Sequence, residues 1–233
     1  MKDSYAVLIA VGLGIIFATT LAVPIVMSGY SGITGGQTSG PFFGGGMMTT
    51  QGQSISIDQA IQMMKSVPQY ANVITSNNTI IFSSSSQSIR VVALATDHEG
   101  ATNLTTNTPP NYATDDLFVI YGLIDPTLVI PHGASVQITV VNLDKDMYHN
   151  FVFTTLNPPY SYMAMMQGMM MGNWQQRGTW LAMMPFLPPA NYSQGVVHEY
   201  TYTVTLNSQG TLSYLCTYPG HAQDGMYGRM LVT

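Results

Sequence analysis

Charge is what this chain has least of. Only 7% of its 233 residues are charged, against about 25% in an ordinary globular domain. With 6 Lys+Arg it has no basic surface able to neutralise a phosphate backbone, which argues against nucleic acid as a partner. A single cysteine, Cys216, excludes an intrachain disulfide and any centre needing two thiolates. The 46% hydrophobic fraction in turn excludes an acidic disordered chain. Scarcity of charge is an advantage in strong acid. There the carboxylates are neutral, and the few Lys, Arg and His cap the self-repulsion that would open a compact state. The composition therefore suits an acidic exterior, as in an acidophile. The competing explanation, that membrane proteins are charge-poor, reaches only the first segment.

That segment is Tyr5 to Met27, an apolar run of 23 residues without a charge. A membrane-spanning helix needs about 20 such residues, whereas a cleavable signal has an apolar core of about 7–15. Residues 1–27 are therefore expected to form a transmembrane anchor. Lys2 favours a cytoplasmic N-terminus and a single-pass protein of the cell membrane, its remainder on the extracytoplasmic side. Cleavage after Ala22 is the alternative. Residues 28–54 are rich in Gly, Ser and Thr and read as a flexible tether reaching roughly 30 Å. Residues 55–233 are left as one domain. Sequons at Asn77, Asn103 and Asn191 suit export.

The domain opens with a short amphipathic helix. Ser56 and Gln59 resemble a capping box, Ile57, Ala60, Ile61 and Met64 share a face, and Pro68 ends the pattern after Val67. Strands follow. Ile80–Phe82, Ile89–Ala95, Leu117–Ile124 and Thr127–Ile130 are β-branched or aromatic runs between turn residues. Ala134, Val136, Ile138 and Val140 alternate with polar residues, as do Tyr200, Tyr202, Val204 and Leu206, the pattern of half-buried antiparallel strands. Leu212–Cys216 closes the series. The fold class is all-β, a sandwich or barrel.

The chemistry concentrates near the C-terminus. Cys216, His221 and Met226 lie at C-x4-H and H-x4-M spacings on one loop between two strands, and His149 opens another strand. Two imidazoles, one thiolate and a weak thioether form the donor set of a blue-copper centre. Each residue alone fits a structural role: a buried inert thiol, a surface histidine, one of 17 methionines. Together, their spacing and strand–loop–strand setting favour copper. In that reading Cys216 is the thiolate, His149 and His221 complete a trigonal plane, and Met226 is the long axial donor. Asn150 and Thr217, each adjoining a ligand, are candidates to brace the site, and Tyr148, Phe151, Tyr218 and Pro219 to keep it dry. His98, His132 and His198 read as surface or structural residues.

The loop CTYPGHAQDGMYG resembles that of the sulfocyanin and rusticyanin cupredoxins. The likeness continues through the amphipathic helix, Thr127–Ala134 and Pro158-Pro159-Tyr160, over about Ser56 to Thr233. It implies a cupredoxin-like Greek-key β-sandwich binding one type 1 copper ion through His149, Cys216, His221 and Met226. It also implies a one-electron carrier of a respiratory chain, with cytochromes or a haem-copper terminal oxidase as partners, and no enzymatic activity. The anchor favours sulfocyanin, a membrane-bound archaeal type, with a monomeric soluble domain.

The segment Met163 to Met171 departs from that likeness. Its methionines suit packing, docking beside the copper edge, or capture of Cu(I). The last use would make the protein a copper-handling or storage protein. Other classes lack their residues. Five histidines are too few for a multicopper oxidase, and a cysteine hydrolase leaves Met226 unexplained.

Overall fold

The computed structural model describes residues 49–50, 52–83, 88–171 and 179–233. The expected anchor and nearly all of the expected tether lie outside them. Among the described residues, no helix is long and apolar enough to cross a membrane. The elements, in chain order, are β1 Gln53–Ser56, α1 Ile57–Lys65, β2 Ala71–Ile74, β3 Thr79–Phe82, β4 Ser88–Thr96, α2 His98–Leu104, β5 Leu117–Ile120, β6 Leu123–Ile124, β7 Thr127–Ile130, β8 Ser135–Asn142, β9 Val152–Thr154, α3 Ala164–Met171, β10 Trp180–Ala182, β11 Val196–Thr205, β12 Gly210–Leu215 and β13 Tyr227–Val232.

Two sheets share the core. One runs β1-β11-β8-β4-β5-β6 and the other β10-β9-β12-β13-β7-β3-β2. Most neighbours are antiparallel; β4–β8, β13–β7 and β3–β7 are parallel. The helix α1 forms where its cap allows. Ser56 Oγ accepts the Gln59 N–H at 3.1 Å, and Ala60 and Met64 are buried. It stops at Lys65, two residues short of the expected end, as the Ser66 N–H closes onto the Gln62 carbonyl.

The predicted strand Leu117–Ile124 is in fact a hairpin. Tyr121 and Gly122 both take positive φ, 47° and 82°, the backbone of a two-residue type I′ turn. Tyr121 is an unusual occupant of that turn, so no Asn-Gly signal betrayed it. Alternation in β8 also fails halfway. Thr139 to Asn142 are all buried, because β8 lies between β11 and β4 and α1 packs on both of these flanking strands. The helices α2 and α3 were not expected. Strand β1 pairs with β11, giving order to Gln53 and Ser54, the last residues of the expected tether.

Strand pairing decides where the candidate donors meet. β9 and β12 are antiparallel, with Val152 opposite Leu215, so the residues preceding β9 and following β12 reach the same sheet end. β12 and β13 pair with Leu215 opposite Tyr227, which brings the start of β13 there as well. Beneath this end Phe151 stacks on Tyr214 at 4.7 Å and meets Phe118 edge-on at 4.9 Å. All three rings are fully buried. Replacing such a ring by alanine costs about 3–5 kcal/mol, so the ligand-bearing strands stand on a rigid base.

Candidate metal centre

His149, Cys216 and His221 converge at that sheet end, all buried. The Cys216 Sγ lies 3.8 Å from His149 Nδ1 and 3.5 Å from His221 Nδ1, and the two Nδ1 atoms are 3.2 Å apart. The centre of that triangle is about 2.0 Å from each atom, the length of a metal–imidazole bond. Two imidazole nitrogens and a sulfur are together the donor atoms of a borderline or soft cation. A cation at the centre satisfies all three. Met226, the fourth member of the donor set, is also fully buried. Its N–H donates to the His221 carbonyl at 2.8 Å, and its carbonyl accepts the Cys216 N–H at 3.2 Å.

The loop makes several bonds within itself. His221 N–H donates to the Tyr218 carbonyl and Asp224 N–H to the Gly220 carbonyl. At Gly225, φ is 109° and a Cβ would collide with the backbone of Tyr112 and Ala113. Only glycine lets the 112–114 segment approach closely enough for the Thr114 N–H and hydroxyl to reach the Asp224 carbonyl.

His149 is held differently. It exchanges backbone bonds with Leu187, at 3.3 and 2.8 Å. Asn142, at the end of β8, donates to the carbonyls of Met147, Leu187 and Pro188. Asn150 then joins the two halves. Its carbonyl oxygen accepts the Thr217 N–H at 2.8 Å, and its amide donates to the Thr217 hydroxyl at 2.8 Å. The predicted braces Asn150 and Thr217 thus meet each other. Phe151 is buried, and Tyr148, Tyr218 and Pro219 are half-buried; the Tyr218 ring packs 4.6 Å from His221.

Electrostatics follow from burial. Desolvation pushes the Cys216 thiol up to about 12, so without a metal it keeps its proton. Desolvation, reinforced by His149, pulls His221 down to about 3, and desolvation also lowers His149. Both imidazoles stay neutral and free to donate a lone pair, and a bound cation would displace the thiol proton.

Two acidic residues complete the surroundings, and neither was expected. Asp144 Oδ2 lies 3.6 Å from His149 Nε2, while Asp116 Oδ2 lies 3.9 Å from His149 Nε2 and 3.4 Å from His221 Nε2. Burial and the neighbouring Asp144 raise Asp116 to about 8. Burial also acts against charge on Asp144, but the His149 ring and the N–H groups of Asp146 and Met147 prevail and hold it below the usual carboxylate range. In the sequence, Asp115-Asp116 and Asp144-Lys145-Asp146 look like exposed charged turns. Asp115, Lys145 and Asp146 are indeed exposed, and no local signal marks the buried member of each.

The remaining candidates stand apart from the donor triangle. His98 and His132 are exposed and His198 is half-buried. Met163 and Met166 are exposed, on and just before α3. The carbonyl of neighbouring Tyr162 accepts the Gly220 N–H at 2.8 Å, joining this segment to the ligand loop. Asn77, Asn103 and Asn191 are all exposed.

Two sheets in this order, closed by a Cys–His–Met loop with a distant histidine, have the cupredoxin fold and bring His149, Cys216 and His221 together as in a type 1 copper site. Residues 125–233 match the copper-binding proteins of the plastocyanin/azurin family. Among curated proteins, the chain is 32% identical over 115 residues to rusticyanin of Acidithiobacillus ferridurans, covering 49% of this chain and 54% of that one. It is 33% identical over 115 residues to a rusticyanin of Acidithiobacillus ferrooxidans, covering 49% and 65%. The matched stretch thus spans between half and two thirds of those relatives. The solved structure of rusticyanin from Thiobacillus ferrooxidans superposes with a TM-score of 0.57 at 26% identity, over 81% of this chain and all of that one. Reduced rusticyanin superposes with a TM-score of 0.56 at 25% identity, over 78% and 99%.

Proposed function

We propose that this protein is a membrane-anchored blue-copper electron carrier of the sulfocyanin type, working on the outer face of the cell membrane in a respiratory chain. The observation that carries the reading is the triangle of Cys216 Sγ and two Nδ1 atoms at 3.2–3.8 Å, sized for one metal ion and made of the donors that copper favours in both oxidation states. Copper bound there would be held by His149, Cys216, His221 and Met226 and would supply a one-electron Cu(II)/Cu(I) couple.

The protein's own part is to hold the donors still. The Asn150–Thr217 bonds fix His149 relative to Cys216, and the loop's internal bonds fix His221 and Met226. Buried aromatic rings beneath the site keep out water, so little has to move when one electron arrives or leaves. The apolar run in residues 1–27, the exposed sequons and the scarcity of charge support anchoring and an acidic exterior. Partners would be a cytochrome or haem-copper oxidase. The rusticyanin likeness supports electron carriage rather than catalysis.

The test is to load the full chain with Cu(II) and record its visible and paramagnetic-resonance spectra. An intense thiolate-to-copper colour that Cys216→Ser abolishes is expected. A colourless loaded protein, or a hue that survives that substitution, overturns the reading. Membrane fractionation of the full chain against one starting at residue 28 tests the anchor.

A further inference from the structure

With both Nδ1 atoms committed to the donor triangle, the protons of His149 and His221 must sit on their Nε2 atoms. Both Nε2 atoms are buried, and neither has a hydrogen-bond partner within ordinary geometry. An unpaired buried N–H is costly, so something must face it. Among the described residues, the carboxyl groups of Asp116 and Asp144, themselves buried, lie 3.4–3.9 Å from these ring nitrogens. Asp144 is aimed by its own turn: its Oδ1 accepts the N–H groups of Asp146 and Met147 at 2.6 and 2.9 Å, and its Oδ2 lies 3.6 Å from His149 Nε2 and beside Asp116. Asp116 Oδ2 reaches both rings. At these separations the contacts are electrostatic rather than full hydrogen bonds.

Asp116, Asp144 and His149 could in principle gather a second cation. That would require His149 to lose both ring protons, and neutral imidazole with one bound metal is far the easier state. The carboxyl groups are therefore acceptors.

We propose that Asp116 and Asp144 are positioning residues for the copper site: they fix both imidazoles in the Nε2–H tautomer, and Asp144 places a buried negative charge behind them that favours the oxidised site. The proposal rests on the copper reading above. The oxidised site carries one more positive charge than the reduced one, so a nearby carboxylate lowers the reduction potential.

The experiment measures the midpoint potential of the copper-loaded full chain, parent against Asp144→Asn and Asp144→Glu, with the visible spectrum recorded for each. Asp144→Asn should keep its colour, and at the parent's midpoint its oxidised-to-reduced ratio should fall about tenfold, a rise of about 59 mV. Asp144→Glu should restore most of the difference. An unchanged potential in a fully coloured Asp144→Asn protein overturns the proposal while leaving the copper reading intact. A colourless parent overturns both. Should Asp144→Asn fail to fold, proton NMR of the cuprous parent decides without any substitution. Ring Nε2–H signals displaced downfield, as by a carboxylate acceptor, support the proposal, and signals at the free-imidazole position overturn it.

Discussion

The two segments that deliver donors differ in how their backbones are held. The Cys216–Met226 loop carries a set of backbone bonds among its own residues, all within ten positions of one another, beside its ties to Tyr162, Thr114 and Asn150. The Asn142–Asn150 crossover, which leaves one sheet at β8 and enters the other at β9, leans on residues about 40 positions away. Asn142 reaches Leu187 and Pro188, His149 pairs with Leu187, and the Ala190 N–H donates to the Asp144 carbonyl. A local loop carries its geometry in its own spacing, whereas a crossover acquires geometry only when the rest of the chain arrives.

The severest way to break the contrast is at the loop's sulfur. Cys216→Ser should abolish the coloured site altogether, checked by visible absorption after copper loading. Next comes the crossover's clamp. Asn142→Ala strips the amide from three carbonyls, at least one of its bonds fully buried, and should cost about 3 kcal/mol in denaturant unfolding. A loss below 1 kcal/mol would show that the crossover does not depend on this residue. Asn150→Ala cuts the link between segments and should weaken copper about 10–100-fold, read by competitive metal titration.

A buried acid outside both segments separates the fold's response to pH from the site's. Burial raises Asp125 well above its ordinary value of 3.8, only partly opposed by the Phe118 N–H. The native state therefore keeps a proton that the unfolded chain releases above pH 3.8. Its contribution is complete below that pH and is lost as pH rises, by up to about 1.4 kcal/mol per unit. Urea unfolding of Asp125→Asn between pH 3 and 6 should show this fall flattened, and an unchanged slope would sink the assignment. The smallest effect belongs to the loop's exposed rim: Gln223→Ala should change stability by no more than about 0.5 kcal/mol, measured the same way.

Legibility in the sequence followed the same division. His221 and Met226 stood out because their distance from Cys216 is set within one strand–loop–strand unit. Strands with regular alternation, such as β11, were plain for a related reason: period-two burial is a property of neighbouring residues. The Tyr121-Gly122 hairpin was missed because its positive φ values depend on the sheet around it rather than on a favoured turn pair. Asp116 and Asp144 were missed because a carboxyl group beside exposed charged neighbours looks the same whether it faces solvent or a histidine.

By itself, then, the order of residues determined the donor set, the strand-rich class of the domain and the apolar run at its start, all matters of spacing and composition. Tertiary structure alone decided which acids are buried, that Leu187 and Asn142 hold His149, and that the two imidazoles present Nδ1 to the thiol. Those outcomes depend on groups remote along the chain being desolvated together, and a pairing of that kind has no energy until the sheets close.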